Sequence, residues 1–189
     1  MESSRGGKHR LVRDALLLVD VLNDFLHEDG EALLASFRER HDTLRRAIRR
    51  AHEAGVPVAY ANDPLGVWDG DVNRLVRRAV EEGKGGDLVA AVAPEDGDLF
   101  VVKPRYSAFD STPLEVVLRG LEVERILVAG SAAEMCVVQT AIDAREVGFK
   151  VSILAEACSS VDPRMERLAL EYAEAVVGAP IQGVDEIGA

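Results

Sequence analysis

The sequence predicts an α/β domain of three layers, with a mostly parallel six-stranded sheet and helices on both of its faces. Three observations predict this fold. Short apolar runs alternate with segments of helical periodicity along almost the whole chain, the first run is apolar on both faces, and 189 residues with 48% hydrophobic content suit one core. We therefore expect residues 13–189 to form a single domain, preceded by a flexible polar tail at residues 1–12.

The predicted strands are short and rich in apolar or β-branched residues. They lie at residues 14–21, 56–61, 98–103, 125–129, 150–154 and 175–177. The first reads DALLLVDV, which is typical of a strand buried on both faces. Because helical segments separate most of these strands, the crossovers are expected to be right-handed and the sheet parallel.

Helices are predicted from residues that recur at helical spacing and from start and stop signals. The first is indicated by a set of apolar residues, namely Leu44, Ala47, Ile48 and Ala51. Gly55 and Pro57 end it. Further helices are predicted at residues 71–82, 112–120, 135–147 and 163–174.

The charge and composition of the chain disfavour several kinds of partner. A net charge of −11 repels nucleic-acid phosphates and anionic membrane surfaces, so we expect neither as a partner. No apolar run approaches the roughly 18–20 residues that span a bilayer, and the N-terminal residues lack the apolar run of a signal peptide. Cys136 and Cys158 lie outside any CxxC pair, and free thiols in a reducing compartment favour a cytoplasmic protein.

Polar side chains follow three of the predicted strands, at the edge of a parallel sheet where ligands bind. Asp20 ends the first strand, Lys103 ends the third, and the turn that leads to Cys136 follows the fourth. If these strands are neighbours, an acid, an ammonium group and a thiol converge. Cys136 also stands at a predicted helix start, where the helix dipole and free N–H groups favour a thiolate.

These three groups are the types that nucleophilic catalysis needs. Asp20 can take the thiol proton and return it to a leaving group, Lys103 favours the thiolate, and free N–H groups of the turn can hold an oxyanion. Structural interpretations stay open: Cys136 as a small buried hydrophobe, Asp20 as a turn cap, and Lys103 as its ion-pair partner. Nothing near Cys158 would activate it, which favours a structural role.

Three segments resemble the isochorismatase-like cysteine hydrolases. They are ALLLVDVLNDF at 15–25, VVKPRYSAFDSTPLEVVL at 101–118 and ILVAGSAAEMCVVQTAIDAREVGFKV at 126–151. The resemblance runs from about residue 14 to residue 175 and therefore covers most of the chain.

The resemblance implies a catalytic triad of Asp20, Lys103 and Cys136. It also implies a cis peptide between Ser131 and Ala132, with the backbone N–H groups of Ala132 and Cys136 forming the oxyanion site. The implied reaction is cleavage of a C–N bond in a small amide, carbamate, urea or imide through a thioester-type intermediate. No cofactor is implied, the partner is a small-molecule substrate, and relatives generally form homo-oligomers, so a dimer or tetramer is expected.

Two departures from the family narrow the substrate. Nicotinamidases of this family carry an Asp-x-His metal site after the second strand, whereas here Leu65 stands two residues after Asp63. We therefore expect no metal and no nicotinamidase activity. True isochorismatases lack the cysteine, so Cys136 argues against isochorismate. The stretch Ser131-Ala132-Ala133 also differs from the more usual apolar–x–Thr pattern.

Four residues are candidates for the substrate pocket: Phe25, Trp68, Arg105 and Tyr106. Trp68 follows the second strand in a glycine-containing loop, where a lid could lie, although packing or a subunit contact explains a tryptophan there equally well. Arg105 could hold a substrate carboxylate, but an exposed arginine is the commoner case.

Other functions fit the sequence less well. A Rossmann nucleotide-binding module needs a glycine-rich turn after the first strand, where this chain reads DVLNDF. A haloacid-dehalogenase-like phosphatase needs D-x-D there, but position 22 is Leu22. An isochorismatase-type hydrolase of another small molecule and a catalytically silent family member both stay open.

Overall fold

In a computed structural model, which describes residues 13–68 and 70–188, five parallel strands form one sheet in the order β3-β2-β1-β4-β5. The strands are β1 Asp14–Val19, β2 Val58–Asn62, β3 Leu99–Val102, β4 Arg125–Ser131 and β5 Lys150–Ser159. The α/β fold class is therefore confirmed. The tail predicted at residues 1–12 lies outside the described residues.

Helices connect the strands and cover both faces of the sheet. They are α1 Gly30–Ala54, α2 Val72–Arg77, α3 Gly86–Ala90, α4 Leu114–Gly120, α5 Val138–Glu146 and α6 Pro163–Tyr172. π-Helical turns extend three of them, at Arg78–Glu82 after α2, at Ala133–Val137 before α5 and at Ala173–Val177 after α6. In the part of the chain that the structure describes, no helix is long and apolar enough to cross a bilayer.

The sixth strand predicted at 175–177 is wrong. These residues belong to the π-helical turn Ala173–Val177, which continues α6 without a break. After it, Gly178 turns the chain in a left-handed conformation, and Ile181 makes a single parallel bridge to Ile153 of β5. Ala175 and Val176 are exposed on this turn and do not pair with β5, and the single bridge at Ile181 is too short to count as a strand.

The strand order shows that strands one, three and four are not all neighbours, which was the condition for their polar residues to converge directly. β1 lies between β2 and β4, while β3 is at the sheet edge beyond β2. Asp20 and the turn after β4 therefore follow adjacent strands. Lys103 starts two strand spacings away, about 10 Å, and reaches the same place because its side chain is long.

Two apolar layers hold the sheet in place, one on each face. Leu16 and Leu18 point into the layer under α1, which also contains Phe37 and Leu44. The intervening β1 residues point into the opposite layer, against α4 and α5. Because both faces of β1 are buried, its sequence is apolar at every position from 15 to 19 and lacks alternation.

Gly130 joins the ends of β1 and β4. Its φ is +122°, and it pairs with Val19, whose carbonyl oxygen occupies the space that a Cβ would need. Both the conformation and this close approach require glycine. The two strand ends that carry Asp20 and Ser131 are thereby held side by side.

We expect Gly130→Ala to lower the free energy of unfolding by about 3–5 kcal/mol, since backbone strain and a steric clash add. Gly97→Ala is the matched control, because Gly97 also has a positive φ, +100°, but has open space where the Cβ would stand. It should lose only the strain contribution, about 1–3 kcal/mol. Urea unfolding of both variants measures the difference, and equal losses would contradict the close-contact argument.

Candidate active site

The side chains of Asp20, Lys103 and Cys136 come together at the carboxyl edge of the sheet. Lys103 Nζ lies 2.7 Å from Asp20 Oδ2 and 3.5 Å from Cys136 Sγ. It also donates to the Arg105 carbonyl oxygen at 3.0 Å, so its three protons point at three acceptors. All three side chains are buried, and this places a thiol, a carboxylate and an ammonium group in mutual contact away from bulk water.

Asp20 is held rigidly by its backbone and by β2. Its φ is +49°, which is unusual for a residue other than glycine and costs of order 1–3 kcal/mol. The Asp20 N–H donates to the Ala61 carbonyl, and Asp20 Oδ1 accepts from the Asp63 N–H at 2.7 Å. One carboxylate oxygen is thus bound by the backbone, while the other faces Lys103.

Cys136 lies in the π-helical turn that follows β4 and leads into α5. The peptide bond between Ser131 and Ala132, just before this turn, is cis. Ser131, Ala132 and Cys136 all line the same cavity. The turn therefore presents the thiol and the cis peptide to one enclosed space.

The electrostatics favour a protonated thiol in the resting site. Burial, and after it the charge of Asp20, raises the pKa of Cys136 to about 12, and Lys103 offsets only part of this. Burial also raises the pKa of Asp20, against the lowering effect of Lys103. Burial lowers the pKa of Lys103, but Asp20 and Cys136 outweigh it and the net pKa is raised. These shifts favour an ammonium–carboxylate pair beside a neutral thiol, whereas the helix start and the lysine in the sequence favour a thiolate.

We expect the alkylation rate of Cys136 by iodoacetamide to rise about tenfold per pH unit from pH 7 to about pH 10, without a plateau. The reason is that a pKa of about 12 leaves the thiolate a minor species throughout this range, whereas an ordinary thiol levels off near its pKa of about 8.5. The measurement uses Cys158→Ala protein, so that one sulfur is followed. A plateau near neutral pH would show a resting thiolate instead.

A cavity of about 350 Å³ is lined by Asp20 and Cys136 of this group. The segment after β1 contributes Asn23, Asp24 and His27 to its wall, and the start of α1 contributes Asp29 and Leu33. Asp63, Leu65, Met135 and Val161 complete it from the loops after β2, β4 and β5. A cavity of this size suits a small molecule.

The four predicted pocket residues lie elsewhere. Phe25 is fully buried in the core, with its ring centroid 5.5 Å from that of Phe37, because α1 covers it. Trp68 and Tyr106 are 68% and 61% exposed and do not line the cavity. The Arg105 side chain pairs with Asp110 at 3.0 Å, and only its backbone carbonyl faces the site, through Lys103.

Two residues that the sequence analysis missed hold the cavity wall in place. The buried Asn62 side chain accepts from the Leu22 N–H and donates to the Leu22 carbonyl, both at 2.9 Å, and so fixes the segment after Asp20. Glu134 Oε1 accepts from the Ser160 hydroxyl and from the N–H groups of Val161 and Asp162. Asn62 is the last residue of β2, and Glu134 follows shortly after the end of β4. A polar residue at such a position was the signal in the sequence that could have identified both.

The donor set does not fit the metal site of the nicotinamidases. Asp63 Oδ1 accepts from the Leu65 N–H at 2.9 Å, and the Leu65 side chain takes the place of a ligand histidine. Within the described ranges, no group of three His, Cys, Asp or Glu side chains could hold a metal ion.

Several solved structures share the fold of this chain. They include the nicotinamidase PncA from Bacillus subtilis, with 27% identity and a TM-score of 0.73 over 90% of this chain and 99% of that one. N-carbamoylsarcosine amidase from Thermoplasma acidophilum matches with 26% identity and a TM-score of 0.71 over 93% and 99%.

Proteins of similar sequence include an isochorismatase family protein and an amidohydrolase. The uncharacterized isochorismatase family protein YaaI of Bacillus subtilis is 31% identical over 92% of this chain and 95% of its own length. The ureidoacrylate amidohydrolase RutB of Cronobacter sakazakii is 27% identical over 80% and 76%. The model of the isochorismatase domain matches residues 14–185, which is nearly the whole described chain. The chain therefore belongs to the isochorismatase family and is a hydrolase.

Proposed function

We propose that this protein is a cysteine hydrolase that cleaves the C–N bond of a small amide, carbamate, urea or imide. The observation that carries the proposal is the position of Lys103 Nζ, which contacts both Asp20 and Cys136, two residues that line a 350 Å³ cavity. The names of the relatives, which include an amidase, a nicotinamidase and an amidohydrolase, support the reaction class.

The first half of the reaction forms an acyl enzyme. Cys136 Sγ attacks the carbonyl carbon while the Asp20 carboxylate accepts the thiol proton. The tetrahedral intermediate then expels the nitrogen, which takes that proton from Asp20, and an amine or ammonia leaves. A thioester-type bond to Cys136 remains. The raised pKa of Asp20 makes its carboxylate a stronger base for this transfer.

The second half returns the enzyme to its starting state. Water attacks the thioester carbon and gives a proton to Asp20. Collapse of the second tetrahedral intermediate breaks the C–S bond, and the departing sulfur recovers the proton as the acid product leaves. Lys103 keeps its charge throughout, and it stabilises the Asp20 carboxylate before each transfer and the transient thiolate at the departure of sulfur.

The oxyanion of each intermediate needs donors that are already in place. We assign this role to the backbone N–H groups of Ala132 and Cys136. Ala132 directly precedes the π-helical turn, Cys136 lies within it, and both residues line the cavity. The helix dipole adds to this effect, because it stabilises negative charge at the start of a helix.

The test combines a substrate panel with trapping of the intermediate. Small amides, ureas, carbamates and imides are screened for release of ammonia or amine, and the reaction of each hit is quenched for intact-protein mass spectrometry. An acyl adduct on Cys136, absent from a Cys136→Ala sample and present in Cys158→Ala, supports the proposal. Turnover with no adduct and full activity in Cys136→Ala would reject a covalent mechanism through the thiol. If no compound of the panel is hydrolysed, a catalytically inactive family member is favoured instead.

A further inference from the structure

The wall of the cavity carries an excess of negative charge. Besides Asp20, whose charge Lys103 balances at 2.7 Å, the carboxylates of Asp24, Asp29 and Asp63 line it. No arginine or lysine is among the described residues of that lining, and His27 is its only basic side chain. A bound molecule therefore meets carboxylates in the cavity wall in addition to that of Asp20.

Two of these carboxylates are not neutralised by neighbours. Asp24 has Arg78 Nε at 3.6 Å. The Asp63 carboxylate accepts a hydrogen bond from the Leu65 N–H. Asp29 is the N-cap residue of α1, but its side chain makes no hydrogen bond to the helix. Among the residues that the structure describes, none forms an ion pair with Asp29 or Asp63, and both are exposed at the rim of the cavity.

A separate observation indicates a polar ligand deeper in the cavity. Ser131 lines the cavity and is 1% exposed, and its buried Oγ has no hydrogen-bond partner in the described part of the chain. A buried hydroxyl without a partner is costly, so a polar group of a bound molecule would stabilise it. The hydroxyl lies beside the cis peptide, where the reacting end of a substrate would be.

From these observations we infer that the preferred substrate is a small amide or urea with a cationic amino group at the end away from the scissile carbonyl, and that substrates with a carboxylate there are disfavoured. Its polar reacting end lies against Ser131 and Cys136, and its cationic end faces Asp29 and Asp63. Like charges close together in a partly enclosed space repel, and the described lining offers an anion no lysine or arginine to offset this. This inference rests on the proposed function, because it takes the bound molecule to be a substrate. The charge preference of the cavity, however, can be measured without turnover.

Charged thiol reagents measure that preference directly. Cys158→Ala protein is labelled at pH 8, where imidazoles are ordinarily neutral, with aminoethyl or sulfonatoethyl methanethiosulfonate. Each rate is divided by that of the same reagent with β-mercaptoethanol. Because both reagents attack the same sulfur, the pKa of Cys136 cancels in the ratio. We expect a cation-to-anion ratio of about ten or more at low salt, which falls towards one at about 0.5 M salt. A ratio of one or less at low salt would overturn the inference.

Isosteric variants locate the source of the preference. Asp29→Asn and Asp63→Asn are each expected to lower the ratio about threefold, since each removes one charge from the rim. The Asp63→Asn side chain keeps the local turn, because its amide oxygen can still accept from the Leu65 N–H. Asp96→Asn is the matched control: it removes one exposed charge before β3, at the opposite edge of the sheet, and should leave the ratio unchanged. An equal effect of all three variants would assign the preference to the net charge of −11 and overturn the inference.

Turnover then tests the substrate itself. β-Alaninamide, butyramide and succinamate are similar in length and carry a cationic, a neutral and an anionic end. We expect kcat/KM to fall in that order, with about tenfold or more between the first and the last; the reverse order would overturn the inference. If none is cleaved while the labelling ratio holds, the charge preference is supported and the hydrolytic function is what fails.

Discussion

Replacement of Cys136 by alanine is expected to lower the turnover of any amide substrate by about 10⁴-fold or more. The sulfur is the atom that forms the intermediate, and in the part of the chain that the structure describes no other thiol lies in the cavity wall. The fold should persist, because only one small side-chain atom is lost from a packed turn. Steady-state kinetics on the best substrate and urea unfolding of the same sample measure both effects.

Cys158→Ala is the control for this variant. Cys158 is also a buried free thiol, but its Sγ donates to the Leu154 carbonyl oxygen within β5 and does not line the cavity. We expect a small loss of stability and nearly unchanged turnover. Comparable losses of activity in both variants would indicate that cysteine replacement disturbs the fold and that Cys136 has no special role.

Asp20→Asn is expected to reduce kcat by roughly 10²–10⁴-fold while substrate still binds. Asparagine keeps the shape, and its amide oxygen can accept from the Asp63 N–H as Asp20 Oδ1 does. It cannot accept the thiol proton, and it leaves the buried Lys103 ammonium without a counterion. Single-turnover kinetics separate the two steps, and formation of the acyl enzyme should be slowed along with its hydrolysis.

Asp98→Asn is the matched control for the loss of a buried carboxylate. The Asp98 side chain is 5% exposed and lies 2.8 Å from His52 Nε2, at the opposite edge of the sheet. This variant should lose stability without losing turnover. If Asp20→Asn kept full activity, Asp20 would be a structural partner of Lys103 and another group would have to move the proton.

The chain sequence alone predicted most of the architecture, because the relevant signals are local. The apolar run of β1 indicates a strand buried on both faces, and the regular alternation of strands and helices indicates a parallel sheet. Since the carboxyl ends of parallel strands share one edge, the polar residues Asp20 and Lys103 could be assigned to that edge from their positions in the sequence. Helix continuity is harder to read, and the strand predicted at 175–177 is the π-helical continuation of α6.

Only the tertiary structure decided what surrounds those residues. The strand order places β2 between β1 and β3, so the contact of Lys103 with Asp20 depends on the reach of a side chain across a neighbouring strand. The cavity wall comes from loops far apart in sequence, which is why Phe25 and Arg105 were wrongly expected in it and Asp29 was missed.

The protonation of the site is likewise a tertiary property. A helix start and a lysine suggested a thiolate, but burial removes the water that would stabilise it and raises the pKa of Cys136 to about 12. The sequence determined which chemical groups stand at the sheet edge, since strand ends are set by local patterns. Strand order, cavity wall and charge state depend on distances between segments that are remote in the chain, and only the packed molecule establishes these distances.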